Sequence, residues 1–161
     1  MAAWQFDLSL VPRAALGTHS AFEAEPVPRS EFESTHWWAS TDLPSGYQHE
    51  LGSLLGAEAA WGDEWEVYGH EDGNRIDVLR RGTAIEEVRL RLDVRILDIN
   101  LLEALLDFVQ RCGCVMVSPD LHVIEPRLDS LWVELELSSA SQFVRDPQAF
   151  LEQIRKRRDP A

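Results

Sequence analysis

The side chains able to do chemistry are few and scattered. The five histidines are His19, His36, His49, His70 and His122. None stands in a spacing that would place two imidazoles on one metal ion. His70-Glu71-Asp72 is the densest polar triplet, but neighbouring residues in a strand or turn diverge, so it reads as a solvated turn. Cys112 and Cys114 are separated by a single residue. That spacing is ill suited to a structural disulfide, and two thiols without further ligands make no zinc site. An apolar setting would raise their pKa values and leave them unreactive. No serine occupies a Gly-x-Ser-x-Gly elbow, and no glycine-rich loop carries the lysine of a phosphate cradle. The residues thus offer no catalytic group, no metal site and no cofactor site. The expected activity is binding.

Binding chemistry is concentrated in the first half. The chain has 161 residues and a net charge of -13. Between Ala14 and Asn74 lie twelve acidic residues and a single base, Arg29. From Arg75 to the end, acids and bases nearly balance. An anionic field repels nucleic acid and acidic membrane surfaces and draws in a basic partner. Acidic surfaces also serve simply to keep a protein in solution. Four of the six tryptophans, Trp37, Trp38, Trp61 and Trp65, fall in the same acidic segment. Tryptophan is frequent at binding hot spots, though a domain of this size can also bury four of them. Alternation in a strand places Trp65 in the core. A strand or loop turns at least one of Trp37 and Trp38 outward or into a groove. The expected partner-binding residues are therefore Trp37 and Trp38 as anchors, with Glu64, Glu66, Glu71 and Asp72 as the carboxylates that meet a basic protein.

The elements that must position these residues are organised around one strand. From Glu87 to Ile96 apolar and charged residues alternate: Val88, Leu90, Leu92, Val94 and Ile96 against Arg89, Arg91, Asp93 and Arg95. That is a strand with one dry and one wet face. An earlier strand, Trp4 to Pro12, alternates in the same way. Residues 13–34, rich in proline and glutamate, lack a helical period and read as a long loop. Asp42-Leu43-Pro44-Ser45 opens a short helix that Gly56 closes. Glu64 to Gly69, a turn at Glu71-Asp72-Gly73-Asn74, and the strand that starts at Arg75 complete an antiparallel meander with the central strand. Trp65 and Val67 share one face of the first of these, Glu66 and Tyr68 the other.

Asp98 caps a helix that runs to Arg111, with Ile99, Leu102, Leu105, Leu106 and Val109 in one stripe. Cys114 to Val117 is a buried strand, and Leu121 to Ile124 adds an edge. Pro126 to Ser141 alternates like a strand yet fits a helix, and Pro126 with the small residues of Ser138 to Ser141 tips it toward helix. Asp146-Pro147 opens a last helix, ended by the basic run Arg155 to Arg158.

A hydrophobic fraction of 45% supports a core and excludes wholesale disorder. No apolar run approaches the ~20 residues needed to cross a bilayer. The start of the chain lacks the basic and apolar regions of a signal peptide, so a cytoplasmic location is expected. The fold expected is one α+β domain over 1–161: an antiparallel sheet of about five strands with helices packed mainly on one face.

Trp37-Trp38, the meander from Trp65 to Arg95, the run Arg91 to Arg95, and the ending with Phe143, Asp146-Pro147 and Phe150 give the chain a recognisable organisation. In it the sequence resembles small, acidic, Trp-rich bacterial proteins, several of them immunity partners of secreted toxins. The resemblance implies a non-enzymatic, cytoplasmic blocker of high affinity. The alternatives are a structural or adaptor subunit that docks through an apolar groove, its charge serving solubility, and an enzyme whose histidines meet a carboxylate in a cleft.

Overall fold

Seven strands form one antiparallel sheet in a computed structural model that describes residues 2–17, 26–58 and 62–148. The strands are β1 (Gln5–Pro12), β2 (Ala57–Glu58), β3 (Trp65–Gly69), β4 (Arg75–Arg81), β5 (Ala84–Asp93), β6 (Cys114–Val117) and β7 (Val123–Ile124). Their order across the sheet is β2-β3-β4-β5-β1-β6-β7. The helices are α1 (Arg13–Leu16), α2 (Arg29–Ser34), α3 (Tyr47–Leu55), α4 (Ile99–Arg111), α5 (Leu128–Leu137) and α6 (Ser139–Arg145). No helix among the described residues is long and apolar enough to cross a membrane.

Register decides which side chains share a face. Leu8 lies opposite Leu90, and Leu90 opposite Ile76, which pairs in turn with Tyr68. These residues are buried, and α3, α4 and α5 pack on the sheet at β3, β6 and β7 respectively. Helix α4 forms because its apolar residues recur along one stripe: Leu102, Leu105, Leu106 and Val109 are all buried. Phe108, fully buried, joins them. The Asp98 carboxylate accepts from the backbone N–H of Asn100 at 2.9 Å and of Leu101 at 3.3 Å. Asp98→Ala is therefore expected to cost about 1 kcal/mol, measurable as a lower urea midpoint at constant slope.

The α+β class holds, with seven strands instead of five. The strand with no counterpart in the sequence reading is β2, which pairs Ala57 with Tyr68 and Glu58 with Val67, and two residues show no alternation to read. The central strand stops at Asp93. Its carboxylate accepts from the backbone N–H of Arg95 at 3.0 Å, and the chain turns. Ile96 is consequently 72% exposed instead of facing the core. Strand β3 has the expected alternation with the opposite orientation: Tyr68 faces the helices and Trp65 is half-buried on the other side. The described parts of 13–34 include α1 and α2, so the segment is not loop throughout.

Most of Pro126 to Ser141 is helical, as its residues favoured, but Pro126 precedes the first helix and the stretch holds two. Ser138 is extended, and its hydroxyl accepts from the backbone N–H of Ser141, capping α6. Trp61 and most of the helix expected after Pro147 lie outside the described residues.

Candidate functional site

The second sheet face is crossed at its β1 end by the segment from Val27 to Trp38. Both tryptophans of the pair are buried, at 8% and 3% exposure; neither points outward, and both border a groove. Buried indoles need an acceptor for the ring N–H. Trp38 Nε1 donates to the Leu10 carbonyl and Trp37 Nε1 to the Phe32 carbonyl, each at 3.1 Å. The Phe32 and Trp37 rings sit 5.6 Å apart, tilted by 36°. Together they wall a groove of about 400 Å³ that runs over Ser9 and Val11.

Its rim carries Glu33, Glu86 and Glu87, with His36 beside them, and no lysine or arginine lines it among the described residues. Two consecutive glutamates in a regular strand would point to opposite faces. A bulge makes the difference. Leu79 pairs with Glu87 and Arg80 with Ile85, so Glu86 is an extra residue turned toward the same groove. The cations that pair with these acids stand outside it: Arg29 is 3.6 Å from Glu33, Arg81 3.0 Å from Glu86, and Arg89 2.6 Å from Glu87.

None of the four expected carboxylates lines this groove. Glu64 is exposed at the start of β3, while Glu71 and Asp72 are exposed on the hairpin at its other end. Five residues of extended chain separate them by about 15 Å. Glu66 is committed elsewhere. Its carboxylate accepts from Tyr47 Oη at 2.6 Å, Tyr68 Oη at 2.9 Å and Arg80 Nε at 2.9 Å. Arg80 also donates to Tyr47 Oη at 2.8 Å. Burial first, then the bond to Glu66, pushes the Tyr47 phenol up to about 12. Tyr68 is raised further for the same reasons. Glu66 thus ties α3 to β3 and β4 and is not free to receive a partner. Nor does the acidic half form one face. Glu50 stands on the helical side paired with Arg111, and Asp42 lies 3.4 Å from Arg80.

Two histidines meet a carboxylate, each at an exposed position. His36, His49, His70 and His122 are exposed; His122 lies 3.3 Å from Glu134 on α5, and His70 4.0 Å from Glu58. His19 lies outside the described residues. No group of three metal-ligating side chains occurs among the described residues. Burial raises the Cys112 thiol to about 11 and Cys114 to about 12, so both are protonated at neutral pH.

Comparison with protein-family models, curated proteins and solved structures finds no match. Fold and groove together define a class: an α+β domain with helices over one sheet face and an acid-rimmed aromatic groove on the other. Sequence reasoning named Trp37 and Trp38 but missed Phe32, Glu33, Glu86 and Glu87. The Glu86-Glu87 doublet inside an alternating run was the available signal.

Proposed function

We propose that the protein is a non-enzymatic binding protein that neutralises a basic partner protein, as an immunity protein blocks a bacterial toxin domain. The observation that carries this reading is the groove walled by Phe32 and Trp37 and rimmed by Glu33, Glu86 and Glu87. A lysine or arginine entering it would find aromatic faces for cation–π contact and three carboxylates at the rim. The paired arginines outside the groove are half or more exposed except Arg89, and such surface pairs are weak enough to yield to a competing cation.

The test is co-expression with the product of the adjacent open reading frame. That product should arrest growth alone and be harmless in the presence of this protein. Association should slow by about tenfold or more between 0.05 and 0.5 M salt, and again in Glu33→Gln/Glu86→Gln at low salt. A neighbour that is harmless alone, or an association rate indifferent to salt, removes the reading.

One observation favours the adaptor alternative. Ile96, Ile99, Trp132, Val133, Leu137 and Val144 are exposed apolar side chains, and Val94, Leu97, Trp132 and Val144 border a hollow of about 130 Å³. Docking there would be insensitive to salt, so the same rate measurement separates the two.

A further inference from the structure

We infer that the open half of the second sheet face is a binding site for a small organic oxyanion, a carboxylate or phosphate ester, held by Arg75 and Arg91 and walled by Trp65. The inference stands apart from the basic-partner reading, because it uses a different part of the face and the opposite charge.

Cross-strand register is its foundation. Arg75 on β4 lies directly opposite Arg91 on β5, and Arg89 in the next row lies opposite Asp77. Like charges directly opposite on one sheet face oppose pairing, so an Arg–Arg pair needs a compensating anion. The carboxylates nearby supply the charge, one to each arginine, but occupy only part of the donors. Arg75 donates from Nε to Asp77 Oδ1 at 2.5 Å, and Arg91 from Nε to Asp7 Oδ1 at 2.8 Å. Arg89 gives both Nε and Nη2 to Glu87 Oε1. Side-on attachment through Nε fixes each of the first two guanidiniums while leaving its Nη groups without a side-chain or backbone acceptor among the described residues.

Those Nη groups reach solvent only at a recess in the sheet face. Arg75 is 8% exposed and its partner Asp77 6%. Arg75, Asp77, Arg89, Arg91 and Trp65 line a hollow of about 310 Å³. The Nη groups keep access to solvent through that hollow, so an entering anion can reach them without the fold opening. Two guanidinium forks held in place by carboxylates match the paired oxygens of a carboxylate or phosphate. Trp65, half-buried at the wall, offers a flat surface to a planar group attached to that anion. Asp77, Asp7 and Glu87 balance the three guanidiniums one for one, so recognition rests on placed donors and not on a net field.

Titration calorimetry on the full chain with benzoate, phenyl phosphate and inorganic phosphate, at ionic strength matched with sodium chloride, tests this. Saturable one-to-one binding of benzoate or phenyl phosphate is expected, about tenfold tighter than inorganic phosphate because of the stack on Trp65. Whichever aromatic anion binds tighter assigns the site to carboxylates or to phosphate esters. Arg91→Lys keeps the charge, loses the fork and should weaken binding about tenfold. Trp65→Leu should abolish the preference for the aromatic anions. Arg91 and Trp65 are not fully buried, so both variants should keep the parent melting temperature within a few degrees, which checks that the loss is local. Heats indistinguishable from those of chloride, or unchanged affinity in Arg91→Lys, would overturn the assignment.

Discussion

Replacing Glu66 with alanine is expected to destabilise the fold by about 3 kcal/mol, more than the loss of any exposed carboxylate. The reason is what it leaves behind. Arg80 loses the acceptor of its Nε, and two tyrosine hydroxyls lose the oxygen they share. Asp42, at 3.4 Å from Arg80, is the remaining anion and is largely exposed. Glu66→Gln keeps an acceptor oxygen and should lose less. Urea denaturation at neutral pH measures both, and a loss under 1 kcal/mol for Glu66→Ala would show that the cluster is incidental.

The same cluster predicts how stability depends on alkaline pH. The Tyr47 phenol is raised from 10.0 to about 12 in the folded protein. Above pH 10 the unfolded chain has released a proton that the native protein still holds. Stability from Tyr47 is thus complete below pH 10 and is lost as pH rises toward 12. Tyr68 adds to the same slope. Tyr47→Phe should flatten it.

Gly69→Ala carries the second large expected effect. Gly69 ends β3 with φ +97°, a region that L side chains rarely adopt. A Cβ there would stand 2.1 Å from the Asn74 carbonyl oxygen and 2.9 Å from Arg75 Cα. Both obstacles are backbone and cannot rotate away. The β3–β4 hairpin must open, and with it the bonds from Gln5 Nε2 to the Glu71 carbonyl and from the Asp93 backbone N–H to Asn74 Oδ1. A loss of about 3 kcal/mol or more follows, visible as a melting point lowered by several degrees. Arg75 sits opposite Gly69, so anion binding should fall with stability.

What was legible in the sequence was local. Helix α4 declared itself through its stripe and its Asp98 cap, and the central strand through alternation. Local pattern does not say which face of β3 meets the helices. Glu66 looks like a wet residue because the partners that bury it are distant: Arg80 is fourteen positions away and Tyr47 nineteen. The groove was hidden for a similar reason. Its rim depends on a bulge at Leu79/Arg80, and its wall on a segment that returns across β1. The arginines of β4 and β5 read as solvent-facing partners of an alternating strand, and only register shows that two of them are stacked side by side.

The flanks of the sheet have a consequence for how this protein meets others. The outermost strands, Ala57–Glu58 and Val123–Ile124, are two residues long. Among the described residues neither presents a ladder of free amide and carbonyl groups long enough to template another chain. Edge-to-edge polymerisation and capture of peptides by strand addition are both disfavoured.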